Sequence, residues 1–154
     1  MNAVILSRIY WFTASHRLNS YLLTADENLK VYDKCNNYNG HGHDYRLEVS
    51  INGTPDRETG MILPLEKFDN CVKKILSRID YKHLNVEVDY FKDNLSTGEI
   101  IIQFLWSQLE KEFGSNKTLS LLRFTTATEL LVIEATIVPL ELKTGLLVQF
   151  EFDS

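Results

Sequence analysis

Cys35 stands six residues ahead of a His-x-His pair, His41 and His43, and another histidine, His16, lies upstream in Thr13-Ala14-Ser15-His16-Arg17. Three of the chain's four histidines therefore share a short region with a thiol. Side chains two apart on a β-strand project from the same face, so a strand through His41 and His43 would aim both imidazoles at one ion. His16, from a neighbouring strand, would supply a third nitrogen. Zinc held by three histidines keeps a fourth position for water or substrate, the arrangement of a catalytic rather than a structural site. The competing reading is a polar Gly-Asn loop whose histidines cluster without a shared ligand.

Periodicity predicts the elements that must position these residues. Residues 3–15 carry Val4, Leu6, Ile9 and the aromatic run Tyr10-Trp11-Phe12, and residues 44–52 alternate Tyr45, Leu47, Val49 and Ile51 with Arg46, Glu48 and Ser50; both read as strands. The polar stretch 17–40 between them is long for a hairpin, and long connections usually carry function or lack order. Asn52-Gly53 and Thr59-Gly60 mark a turn, and Pro64 suits the first turn of a helix reaching about Arg78, with Phe68, Cys71, Val72, Ile75 and Ile79 at helical spacing. Ser96 and Glu99 have capping-box spacing and open a second helix striped by Ile101, Phe104, Leu105, Leu109 and Phe113. Strands are expected near 119–126 and 130–138, and residues 146–152 read as an extra C-terminal strand. This order predicts a single α+β domain over residues 1–154, two helices covering one face of a four-stranded antiparallel sheet.

With 154 residues, 44% hydrophobic and 24% charged, the composition is that of a soluble domain able to bury its own core. A net charge of −5 offers no positive field for a nucleic-acid backbone, so no nucleic acid is expected as a partner. The N-terminus has no basic region ahead of its short apolar run, and nowhere do eighteen apolar residues follow one another. Neither a signal peptide nor a membrane span is expected, and a cytoplasmic location is. In a reducing compartment the two cysteines predict one reactive thiol and one buried one rather than a disulfide. Cys71, on the helical stripe, fits the buried role, and Cys35 the reactive one.

Several short motifs follow one another in a specific order: Phe12-Thr13-Ala14-Ser15-His16-Arg17-Leu18, Cys35-Asn36-Asn37 through Asn39-Gly40-His41-Gly42-His43, and Gly53 with Asp56. After these come Thr59-Gly60-Met61, Asp80 with Leu84-Asn85, and Ser96-Thr97 with Glu99. Together they resemble the 6-pyruvoyl-tetrahydropterin synthase and 6-carboxy-tetrahydropterin synthase family over nearly the whole chain. The resemblance implies the tunnelling fold, zinc on His16, His41 and His43, and Cys35 as catalytic base in a proton relay with Asp80 and the residue after it. It further implies Thr97 and Glu99 at the substrate, and trimers whose sheets close a barrel, usually stacked as hexamers, with active sites between subunits. The reactions implied are loss of triphosphate from dihydroneopterin triphosphate in one branch and side-chain cleavage in another.

Two positions depart from the family pattern. Where the family reads Leu-Asp-His, this chain reads Ile79-Asp80-Tyr81, so a tyrosine replaces the histidine that helps the cysteine move protons. Tyr81 could donate a proton, but an ordinary phenol is a poor base at neutral pH. His83 is a weak substitute by spacing, because in a strand it faces the same way as Tyr81 and in a helix elsewhere. The family also places a glutamate, followed by threonine, in the third main strand, where the carboxylate accepts two hydrogen bonds from the pterin edge. The matching pair here is Thr125-Thr126, and Thr125 cannot reproduce that charge-assisted contact, a loss expected to cost about 2–4 kcal/mol. Glu129 or Glu134 could reach in instead, and Glu99 is retained. Arg17 and Lys34 are the local cations that could meet a phosphorylated substrate.

Zinc on three imidazoles would polarise a substrate oxygen, and Cys35, its thiolate favoured by the cation and by Lys34, would remove an adjacent proton. The expected protein is a zinc-dependent lyase acting on a pterin or a related small metabolite. Tyr81 and Thr125 suggest a first rival, a specialised biosynthetic cyclase or lyase with a non-pterin substrate. A second is a catalytically silent zinc-binding homologue, against which the retained Cys35 counts. A zinc deaminase is disfavoured by the lack of a Cys-x-x-Cys ligand pair and of an evident His-x-Glu signature.

Overall fold

The computed structural model describes residues 2–113, 118–126, 131–140 and 143–152, with Thr118 and the strands beyond residue 130 described by their backbone. β1 (Val4–His16) and β2 (His41–Gly53) run antiparallel over their full lengths, from Val4 opposite Gly53 to His16 opposite His41. β2 pairs antiparallel with β4 (Thr118–Thr126), with a register shift between Ser50 and Ile51, and β4 pairs antiparallel with β5 (Leu131–Leu140). These four long strands are the antiparallel sheet that the periodicity predicts. Two additions, β3 (Lys82–His83) and β6 (Lys143–Phe152), widen it among the described residues to six strands in the order β3-β1-β2-β4-β5-β6. β3 lies parallel to the end of β1, and β6, the expected extra strand, lies antiparallel to β5.

One face of the sheet is the core. Tyr10, Phe12, Ala14 and His16 of β1 are buried, as are Tyr45, Leu47 and Val49 of β2 and Leu122 and Phe124 of β4. Against this face pack α2 (Leu65–Leu76), through Phe68, Val72 and Ile75, and α4 (Gly98–Phe113), through Ile101, Leu105 and Leu109. Each such side chain contributes about 1.5–3 kcal/mol when fully buried. Phe12, Tyr45 and Phe124 stack with ring centroids 4.9 and 4.7 Å apart, and His43 lies 5.5 Å from Tyr45. An aromatic floor therefore holds the histidine end of the sheet. Asp69 of α2 clamps β1 through Arg8 and the Tyr10 hydroxyl, each at 2.8 Å. Burial, followed by Asp69, pushes the Tyr10 phenol far up.

The long connection after β1 is not structureless. It contains α1 (Ala25–Tyr32), opened by a capping box in which Glu27 N donates to Thr24 Oγ1 (3.3 Å) and Thr24 N donates to the Glu27 carboxylate (2.8 Å). Its Leu29 and Val31 are 60% and 62% exposed, so the helix has no apolar stripe for periodicity to find. Buried Asn28 anchors it instead, donating to the carbonyls of Ser20, Leu23 and Thr24. Elsewhere β2 starts at His41 rather than near residue 44, and α2 stops at Leu76, with Pro64 as its N-cap. A short α3 (Leu84–Glu87) follows β3.

Candidate active site

The β1–β2 register sets His16 opposite His41, and the two-residue strand period puts His43 on the same face. His41 Nε2 lies 3.1 Å from both His16 Nε2 and His43 Nε2, and one ligand atom from each residue falls within 4.8 Å of the others. A tetrahedral zinc ion at about 2.0–2.1 Å from each nitrogen would space its ligands by roughly 3.3 Å, close to the two separations at His41. His16 Nδ1 donates to the Ser96 carbonyl at 2.7 Å, which leaves the Nε2 lone pair aimed at the other imidazoles. Burial pushes His16 down to about 4, with smaller contributions from His43, His41 and His83 and opposition from the Ser96 bond. At neutral pH it is therefore the neutral imidazole that metals require.

Gly40 leads into His41 with φ +74°, and a Cβ there would meet the His16 carbonyl oxygen at 2.7 Å and His83 Nε2 at 2.9 Å. Only glycine fits that turn without displacement. Ser96, expected to cap α4, serves this region instead: its carbonyl holds His16, and its hydroxyl donates to Asn85 Oδ1 at 3.3 Å.

Cys35 lies in a single 3₁₀ turn, Asp33–Asn36. Leu18 N donates to the Cys35 carbonyl at 2.8 Å, and the Asn36 side-chain amide donates to the Leu18 carbonyl at 2.7 Å, so the turn is tied to the chain leaving β1. Arg17 secures it further, donating to the Asn36 carbonyl at 3.3 Å and lying 5.2 Å from the Tyr38 ring. Arg17 is thus engaged in holding the thiol loop, while Lys34 is exposed. Cys35, His16 and His43 line one cavity of about 270 Å³, whose walls include Leu18, Tyr45 and Phe124 and whose polar groups include Thr97, Glu99 and Thr126. Cys71 is half-buried, as Cys35 is, with its Sγ 3.9 Å from the Glu112 carbonyl and its side chain against the core. Surroundings, rather than depth, separate the two thiols.

Asp80 and Tyr81 lie elsewhere. Asp80 Oδ1 accepts from Thr13 N at 2.9 Å, and Tyr81 N donates to the Thr13 carbonyl at 2.6 Å, so both cap the outer edge of β1. Tyr81, at φ 56°, is 84% exposed, and neither residue lines the cavity. In β4, alternation sends Phe124 and Thr126 into the cavity, while Thr125 sits opposite Arg46 and faces the other side of the sheet. Glu134 is paired through its backbone register with Arg123, and Glu129 lies outside the described residues. Two residues named in the sequence, His83 as a weak substitute for the relay histidine and Thr126 as the second of the Thr125-Thr126 pair, lie closer to the histidines and the cavity than their spacing signals. His83 is placed against Gly40 and next to the histidines by a parallel pairing of two residues, which no periodicity signals. Thr126 is placed by a strand register that the shift between Ser50 and Ile51 helps set.

The chain matches a family model described as 6-pyruvoyl tetrahydropterin synthase over residues 5–132. It belongs to that family. The 6-pyruvoyl tetrahydrobiopterin synthase of Homo sapiens is 42% identical over 107 residues, spanning 69% of this chain and 74% of that protein. The corresponding protein of Dictyostelium discoideum is 40% identical over 107 residues, spanning 69% and 78%. The solved structure of Caenorhabditis elegans 6-pyruvoyl tetrahydropterin synthase superposes with a TM-score of 0.82 at 29% identity, covering 88% of this chain and 96% of that one. This 6-pyruvoyl tetrahydropterin synthase family member therefore has the tunnelling fold, with a histidine triad able to hold a metal ion. Among the described residues no helix is long and apolar enough to cross a membrane.

Proposed function

We propose that this chain is a zinc-dependent lyase of the 6-pyruvoyl-tetrahydropterin synthase type, removing a proton from a pterin-bearing small molecule and driving elimination or tautomerisation. The observation that carries the reading is the convergence of His16, His41 and His43 with Cys35 on one cavity. His16, His41 and His43 would hold the ion, whose chemistry when bound is Lewis acidity toward a ligand oxygen. Cys35 is the base, accepting as its thiolate the proton on the carbon beside that oxygen. The tied 3₁₀ turn holds the thiol at the cavity wall, the aromatic floor fixes the histidine end, and Leu18, Tyr45 and Phe124 keep water from a bound ring. Thr97 and Glu99 supply polar contacts to the ligand.

Asp80 and Tyr81 act on a site completed by a second copy of the chain, which their position outside the cavity and the exposure of Tyr81 support. β3 covers only Ala14 and Ser15 of β1, so most of that strand's outer edge has no strand beside it among the described residues. Such edges favour pairing between copies, in keeping with a homotrimer or a stacked homohexamer. A cytoplasmic setting completes the proposal.

Incubating the purified protein with dihydroneopterin triphosphate and following the products by mass spectrometry tests the assignment. Loss of triphosphate is the expected result, and an inert protein with its zinc intact would reject it. That outcome would favour the second reading, a non-pterin substrate, to which the Thr125-Thr126 pair and Tyr81 point.

A further inference from the structure

Thr126 Oγ1 is buried and makes no hydrogen bond among the described residues, although Thr126 lines the cavity shared by Cys35, His16 and Glu99. Native interiors rarely leave such a hydroxyl unmet, and one facing a cavity is placed to meet a ligand. Thr125, its neighbour, points to the opposite side of the sheet beside Arg46. We infer that Thr126, not Thr125, is the β4 residue that reads the ligand's ring, through a single neutral hydrogen bond working beside Glu99. The inference rests on the pterin reading proposed above.

The chemistry of the walls narrows the ligand. Phe124, Tyr45 and Leu18 offer apolar surface to a flat ring. The Glu99 carboxylate oxygens accept hydrogen bonds and so suit ring or amino N–H groups, whereas the Thr126 hydroxyl can donate and so meets a ring carbonyl or ring nitrogen. An amino-oxo heterocycle presents both kinds of group along one edge.

The decisive variant is Thr126→Val, which keeps the shape and removes the hydroxyl. Without ligand, this variant should unfold at the same or a higher temperature, because an unpaired buried hydroxyl has been replaced by a methyl group. Titration calorimetry with neopterin should show binding about tenfold weaker than in the unaltered protein, as expected for one lost neutral contact. Thr126→Ser, which keeps the hydroxyl, should stay within about threefold of the unaltered protein, and Thr125→Val should leave affinity unchanged. Earlier unfolding of Thr126→Val would make the hydroxyl structural and overturn the inference. Equal neopterin binding by the unaltered and Thr126→Val proteins would overturn it while leaving the pterin reading in place. Failure of the unaltered protein to bind neopterin would overturn the pterin reading, and the inference with it.

Discussion

His16 and Tyr81 meet the same stretch of β1, since Tyr81 N bonds the carbonyl of Thr13 three residues before His16, yet only His16 turns into the cavity. The histidine is 5% exposed, with its ring held by Ser96, and Tyr81 is 84% exposed at a left-handed φ. The chain by itself brings together three histidines able to hold a metal ion and displays Asp80 and Tyr81, proposed above as the other half of the site, on an edge. The difference lies in what positions each residue. A strand register within one sheet fixes the histidines, and the return of the chain from α2 to the sheet edge fixes Asp80 and Tyr81.

The largest effect should come from the internal half. Replacing His41 or His43 with alanine removes one of three nitrogens, and two rarely hold zinc tightly. Elemental analysis should show about one zinc per chain falling toward zero, with affinity at least about a hundredfold weaker. Tyr81→Ala should keep its zinc. Loss of metal from Tyr81→Ala, or full occupancy in both histidine variants, would erase the contrast between cavity and edge.

Next in size is the thiol. Cys35→Ala should retain zinc and lose about 10²–10⁴-fold in turnover, the usual worth of a positioned base, while Cys71→Ala stays near full activity. Alkylation of the native protein should mark Cys35 first, even though both thiols are half-buried, because Cys35 lines a cavity beside the histidines and Cys71 packs against the core. If the edge half of the site works on a neighbouring copy, mixing inactive Cys35→Ala with inactive Asp80→Asn subunits should restore measurable turnover. Failure of every mixture, in oligomers shown by light scattering to have exchanged, would confine catalysis to one chain.

Legibility in the sequence divides along the same line. The two long strands, the two long helices and the histidine triad were readable, since each depends on a period of two or of 3.6 residues carried by apolar or ligand side chains. α1 was not, because its anchor is one buried amide, Asn28, rather than a stripe, although the Thr24 and Glu27 spacing was available as a signal. Nor was the place of His83, which rests on a two-residue parallel pairing between segments far apart in sequence. Thr125 and Thr126 show how narrow the margin is: with a period of two, an alignment off by one residue exchanges the cavity face for the opposite face.

A smaller, purely local effect is expected at the turn into β2. Gly40→Ala places a methyl group against the His16 carbonyl and the His83 ring at a φ that alanine seldom adopts. Chemical denaturation should show a loss of about 1–3 kcal/mol, accompanied by weaker zinc binding as His41 shifts. Unchanged stability would mean that this segment relaxes freely and that the histidine geometry is less tightly held than the register suggests.

The smallest effect should follow from Thr125→Glu, the change that family likeness alone would choose to restore pterin recognition. The new carboxylate would stand opposite Arg46, on the face where Arg46 and Arg123 lie 3.7 and 3.8 Å from Glu48. Glu48 already engages both partly exposed arginines there, so an added acid gains a surface ion pair worth about 0–1 kcal/mol and leaves the cavity untouched. Neopterin affinity measured by calorimetry should therefore change by less than about twofold. A gain of tenfold or more would mean that assembly brings this face against a neighbour's ligand. Thr125 would then join Asp80 and Tyr81 in the half of the site that each copy provides for the next, and the boundary between the two halves would run through β4 itself, between residues 125 and 126.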